Sequence, residues 1–277
     1  MRRGTDHARV TNPTRSSQDA PWGPLAAQRR FAVTADQDWA PEWATEALLQ
    51  WAWEWDVPLH VFQTNPSPSL DGAAGSGTVT RGWHPNFFPG STHGEDESAV
   101  VRHMAGFLPG VRTVRSHGFR ESYLAWRELA GAGIRFDSQF PSAFAGHLVP
   151  AVHATGIIRL PVWFEDDLWL RLFPHATDVS RLRPALGAPG LKILNVHPVH
   201  LALNCPSMDY YDRRRAEIYR PDSDPDALVH PGPGVRDVLE AILLAVRADG
   251  EKWRSFEDLC DESADLLSDS ADLAVLP

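Results

Sequence analysis

The hydrophobic pattern opens in "RRFAVTADQDW", where a short apolar run breaks abruptly into carboxylates, as a buried strand does on reaching its loop end. A strand is expected at about residues 31–35. The next segment, "APEWATEALLQWAWEWDVP", carries Pro41 at its start, acids early, and apolar residues at helical spacing as far as Trp55, which predicts a helix. Strands are expected in "PLHVFQTN", "TVTRGWH", "VRTVRS", "IRFDS", "GIIRLPVWF" and "LKILNVH". Helices are expected in "EDESAVVRHMAGFL", "RESYLAWRELAGAG" and "GVRDVLEAILLAVRADG". Strands alternating with helices of roughly 10–15 residues favour parallel β-α-β units. The stretches "RPALGAPG" and "YRPDSDPDALVHPGPG" read as loops, and the acidic end "EDLCDESADLLSDSADLAVLP" as a short helix and a solvated tail.

Composition narrows the function classes. A chain of 277 residues, 43% of them hydrophobic, can bury a sizeable core, and one α/β domain is the simplest organisation. A formal net charge of -10 argues against a nucleic-acid partner, because neutralising phosphates needs a field of Lys and Arg. Cys205 and Cys260 stand far apart without a CxxC, so neither a disulfide framework nor a thiolate zinc site is indicated. No apolar run approaches the roughly 18–20 residues that span a bilayer, and no integral membrane segment is expected. The Arg-rich N-terminal segment lacks the apolar centre of a secretory signal, which points to a cytoplasmic location.

The chemistry concentrates at strand ends. Asp36 and Asp38 follow the first strand, His84 the third, Arg115 and His117 the fourth, Asp137 the fifth, and His197 and His200 follow "LKILNV". In parallel sheets and barrels the C-terminal edge is where sites are built, so the repetition weighs more than any one residue. Two residues apart on extended chain, Asp36 and Asp38 project to one side. One could bind a metal while the other accepts a proton, or both could cap the helix at Pro41. The loop "GWHPNFFPGSTHGED" sets His84 and His93 nine residues apart, a spacing that brings them together on no helix face. Histidine nitrogens with one carboxylate and an open position are the usual donors of hydrolytic zinc enzymes. Arg115 could orient a carboxylate or fasten two loops, and His197 could donate a proton to a leaving group.

Ordered in this way, the motifs resemble those of the polysaccharide deacetylases, carbohydrate esterase family four. Thr34, Ala35, Asp36, Gln37 and Asp38 are similar to the family's Thr-Phe-Asp-Asp motif, Arg115, Ser116, His117 and Gly118 to its Arg-x-Pro-x-Gly, and Leu194 to His197 contain its late His. The resemblance implies a distorted (β/α)7-type TIM-like barrel in a single domain. It is expected over residues 30–268, between a flexible N-terminal tail, 1–29, and a C-terminal tail, 269–277. It implies Asp36 as base, Asp38 and His84 as metal ligands, Arg115 as the residue that positions the base, and His197 as acid. The family's His-Ser/Thr-x-x-His would place its second histidine at position 88, which is Phe88. The third ligand therefore falls to His93, with His117 as its rival. The long loop between the histidines resembles a bacterial branch tied to lipopolysaccharide and O-antigen synthesis.

The implied activity is removal of an N-acetyl group from an amino sugar with a divalent metal, zinc first and cobalt or manganese as substitutes. Trp39, Asn86, Asp137 and Trp163 are candidate substrate contacts, although in a chain of 11 Trp most are core residues. Two other readings stay open: hydrolysis of a different small amide on the same barrel, and a barrel that only binds carbohydrate.

Overall fold

The computed structural model describes residues 22–77 and 79–269. Its nine strands are β1 (Arg29–Asp36), β2 (Leu59–Gln63), β3 (Val79–Trp83), β4 (Thr113–Val114), β5 (Phe136–Asp137), β6 (Ala151–Val152), β7 (Ile158–Arg159), β8 (Val162–Glu165) and β9 (Gly190–Val196). They form one sheet in the order β6-β7-β5-β4-β3-β2-β1-β9-β8, parallel throughout except for the β6–β7 pair. A parallel bridge between Pro141 and Val162 links the chain after β5 to β8, and the curled sheet is a single-domain distorted (β/α) barrel.

Alternation along β1 sorts its side chains. Phe31, Val33 and Ala35 pack outward with Leu48, Trp51, Leu239 and Ile242 of the helices Glu42–Glu54 and Val235–Ala248. Ala32 packs inward with Phe62, Phe136 and Ile193, over Phe256 and Leu259 of the helix Phe256–Asp269. Period two carries the inward set on to Thr34 and then Asp36. The same rule on β9, paired with β1 from Arg29↔Gly190 to Ala35↔Val196, turns Leu191, Ile193 and Asn195 inward. Asp36 and Asn195 thus meet inside the barrel at its C-terminal rim.

Several expectations change, among them the loops "RPALGAPG" and "YRPDSDPDALVHPGPG", which hold the short helices Arg183–Gly187 and Pro225–Leu228. "GIIRLPVWF" is two strands, because Pro161 has no N–H for a ladder; its first half pairs with β5 and its second with β9, at opposite ends of the sheet. Of the tail expected over 1–29, residues 1–21 lie outside the described residues, while Gly23–Ala27 form a short helix whose Leu25 is fully buried against the barrel end. The C-terminal helix runs on to Asp269, and residues 270–277 lie outside the described ones. The helix Met208–Ile218 escapes a hydrophobic-pattern reading because only Met208 and Ile218 of its eleven residues are buried. Among the described residues no helix is long and apolar enough to cross a membrane.

His60 ties the inner layer together below the rim. Its Nδ1 lies 2.7 Å from Thr80 Oγ1 and its Nε2 3.1 Å from Thr113 Oγ1. A Cβ on Gly82 would stand 2.7 Å from that Nε2, so the close approach requires glycine. Burial, with the nearby Arg115 and Arg112 cations, pushes His60 down to about 3. A base with a lowered folded pKa contributes stability that is present above its ordinary 6.5 and is lost as pH falls toward the folded value. We expect about 3 kcal/mol of stability to go between pH 6.5 and pH 4 from this group alone. Urea unfolding of the wild type and His60→Gln at several pH values checks it: the variant starts less stable but shows a shallower slope over that range.

Candidate active site

Three rim positions converge on Asp36. Arg115 Nη1 donates to Asp36 Oδ1 at 2.9 Å and Asn195 Nδ2 donates to Asp36 Oδ2 at 2.8 Å. Arg115 is itself fixed on the wall: it donates to the Ser138 carbonyl, to Ser138 Oγ at 2.8 Å and to Asn195 Oδ1 at 2.5 Å, and its guanidinium lies 4.3 Å above the Phe62 ring. Both Asp36 oxygens thus accept strong donors. The third neighbour is His84, whose Nδ1 stands 3.8 Å from Asp36 Oδ1.

Asp38 leaves the strand line differently. Asp38 and Trp39 take left-handed backbone, at φ 49° and 55°, and the Gln37 side chain secures the turn by accepting the Thr64 and Asn65 N–H groups. This turn swings the Asp38 carboxylate over the barrel mouth. His84 Nε2 and His117 Nδ1 lie 2.8 and 2.7 Å from the same Asp38 Oδ1, and His197 Nε2 lies 3.5 Å from Oδ2. Burial would raise the Asp38 pKa, but the bonds from His117 and His84 hold it well below the carboxylate range. In return Asp38 outweighs burial at His117 and raises that imidazole.

His197 is held from the far side by Asp166, the first residue after β8. The carboxylate accepts His197 N–H at 2.7 Å and Asp167 N–H at 2.8 Å, and stands 2.6 Å from His197 Nδ1 and 3.3 Å from His200 Nδ1. Burial alone would lower the His197 pKa; the Asp166 charge reverses this and leaves it well above its ordinary value.

Among the described residues, two groups therefore have donor atoms close enough for a cation: Asp38, His84 and His117, and Asp166, His197 and His200. They differ in hydrogen-bond state. Four donors fill the lone pairs of Asp166, leaving none for a metal. At the first group two imidazoles crowd one oxygen, and His84 Nδ1 is buried with no hydrogen-bond partner among the described residues. A cation held by the inward-facing atoms relieves this crowding, so the residues fit a metal there.

The other predicted residues separate. His93 does not join the cluster: its Nδ1 accepts the Asn86 N–H at 3.1 Å, its ring stacks on His103 at 4.8 Å, and burial pushes it down to about 4. Asn86 shapes the same loop, its Oδ1 accepting the Phe88 N–H. Phe88 packs beside His117, against Gly118, where a Cβ would come within 2.9 Å of the ring. Trp39 borders the site, with its ring 5.2 Å from that of His117. Trp163 is 1% exposed in the outer core among Phe144 and Phe164, and so presents no face for stacking on a sugar. Asp137 is wholly buried against Arg159 Nε at 3.1 Å, with burial pushing it up to about 7, and it too offers substrate no surface. Asp166 was missed by motif, although its place at a strand end, in "FEDD", is the signal that found the others.

Barrel and rim together define a polysaccharide deacetylase-type scaffold with its polar cluster at the C-terminal strand ends. The sequence model of the WbmS-like polysaccharide deacetylases matches residues 33–215, and the chain belongs to that family. The structure is similar to that of WbmS from Bordetella bronchiseptica, a candidate polysaccharide deacetylase involved in O-antigen biosynthesis. The two share 24% identity over 78% of this chain and 90% of the other, with a TM-score of 0.70. A family 4 acetyl xylan esterase from Clostridium thermocellum, in complex with cobalt, aligns with 83% of this chain and 89% of its own at 10% identity and a TM-score of 0.45. No curated protein matches the sequence.

Proposed function

We propose that the protein is a metal-dependent hydrolase that removes the N-acetyl group from an amino sugar of a polysaccharide, lipopolysaccharide or sugar precursor. The observation that carries this reading is the convergence on one rim of a metal-type donor set, Asp38, His84 and His117, with an Arg115-bound Asp36 and an Asp166-bound His197. A bound divalent cation, zinc or in its place cobalt or manganese, supplies a Lewis acid that acidifies water and polarises an acyl oxygen.

The chain's own residues do the rest. Asp36, aimed by Arg115 and Asn195, accepts the proton of the attacking water. His197, kept protonated by Asp166, gives its proton to the departing amine, which otherwise leaves as a poor anion. Phe88, the chief support for an inactive barrel, loses force because His117 stands beside it with a ring nitrogen on Asp38.

An acetate-release assay over a panel of acetamido sugars, with zinc or cobalt added, tests the reading. We expect release by the wild type, and a loss of about 10²–10⁴ in kcat for Asp36→Asn with metal content retained. Absence of acetate from every sugar with the metal bound would overturn it.

A further inference from the structure

Beside Asp38 and His197 lies a cavity of about 200 Å³, with Pro198 and Val199 among its lining residues. Pockets that bury drug-sized ligands run to about 300–1,000 Å³, so this one suits a single sugar ring. One wall is the helix Met208–Ile218, which presents Met208, Tyr211, Asp212 and Arg215 to the cavity at the i, i+3, i+4, i+7 spacing of one helix face. Of three consecutive arginines on this helix, Arg213 pairs with Asp209, and Arg214 pairs with Glu217 at 3.6 Å and lies over Tyr210. Arg215, the one that faces the cavity, makes no ion pair among the described residues. Arg171 also lines the cavity, held only by a 3.9 Å approach to Asp167.

We propose that this cavity is a subsite for an acidic acetamido sugar, one whose ring or attached group carries a carboxylate or a phosphate, bound by Arg171 and Arg215. The proposal rests on the deacetylase reading and names its substrate class. Guanidinium groups match carboxylate and phosphate through paired N–H donors, and two of them face one small cavity in a chain of net charge -10. Of the cavity's acids, Asp38 is turned onto His84 and His117, and Asp167 comes no closer to Arg171 than 3.9 Å, so both guanidinium groups keep N–H donors for a ligand. Asp212 and the hydroxyls of Tyr211 and Tyr219, 3.3 Å apart, remain for sugar hydroxyls.

Calorimetric titration of the full-length protein, zinc present, with N-acetylglucosamine, its 1-phosphate and its uronic acid tests this, with acetate release followed in parallel. We expect at least one acidic sugar to bind about tenfold more tightly than the neutral one, and Arg215→Ala and Arg171→Ala to remove most of that preference, with the acidic sugar losing more affinity than the neutral one. The tighter of the two acids identifies the group read. Equal affinity for all three, failure of both acids to bind, or an equal loss for acidic and neutral sugars in the variants would overturn the subsite. Acidic preference without acetate release would keep the subsite and sink the deacetylase reading; acetate release without the preference would do the reverse.

Discussion

His117→Ala is expected to lose the bound metal, and His93→Ala to retain it. His117 Nδ1 lies 2.7 Å from the Asp38 oxygen that also meets His84, whereas His93 spends its Nδ1 on the Asn86 N–H. Removing one of three protein ligands should weaken metal binding by at least about 100-fold, beyond the 10–100-fold range typical of residues that only support a ligand. Asp38→Ala and His84→Ala should behave like His117→Ala. His93→Ala instead costs stability, through the unpaired Asn86 N–H and the lost stacking on His103. Metal content after dialysis, with a melting curve for each variant, separates the two effects. Metal retained by Asp38→Ala would show that the roles of Asp36 and Asp38 are reversed, and metal lost from His93→Ala at an unchanged melting temperature would return His93 to the ligand set.

The contrast between these two histidines marks what the sequence could convey. Side-chain alternation depends on local backbone, so the inward turn of Asp36 and the polar rim were legible from "RFAVTAD" and its counterparts. So was the pairing of Asp36 with Arg115, through the motif. The choice between His93 and His117 rests on how a Pro- and Gly-rich loop packs: the Phe88 ring lies on Gly118, a contact thirty residues apart in the chain, and His117 is the one that stands on Asp38. Trp163 misleads for a related reason: it adjoins a strand end, yet its side chain points to the outer helices, and proximity in sequence says nothing of face. Asp166 shows the opposite failure. It sits where the rim rule says to look, but "GIIRLPVWF" reads as one strand, and only the break at Pro161 carries the second half to the β9 edge, beside His197.

That placement gives Asp166 and His197 a separable role, and a leaving group can expose it. His197→Ala is expected to lower kcat on acetamido sugars by about 10²–10⁴ with metal content intact, the range for a lost general acid. The same variant should hydrolyse p-nitrophenyl acetate within about tenfold of the wild type, because nitrophenolate departs without a proton and the remaining groups, Asp36 with Arg115 and the Asp38 cluster, are untouched. Asp166→Asn should show the same substrate dependence to a smaller extent. It keeps an acceptor near His197 Nδ1 but removes the charge that holds the imidazole protonated against burial. If His197→Ala slows both substrates equally, the residue acts before the leaving group departs, by placing Asp38 through the 3.5 Å contact of its Nε2, and Asp166 is then part of the metal site's frame. Different slopes for the amide and the activated ester would place the Asp166–His197 pair at the breaking carbon–nitrogen bond, where the order of the strands has put it.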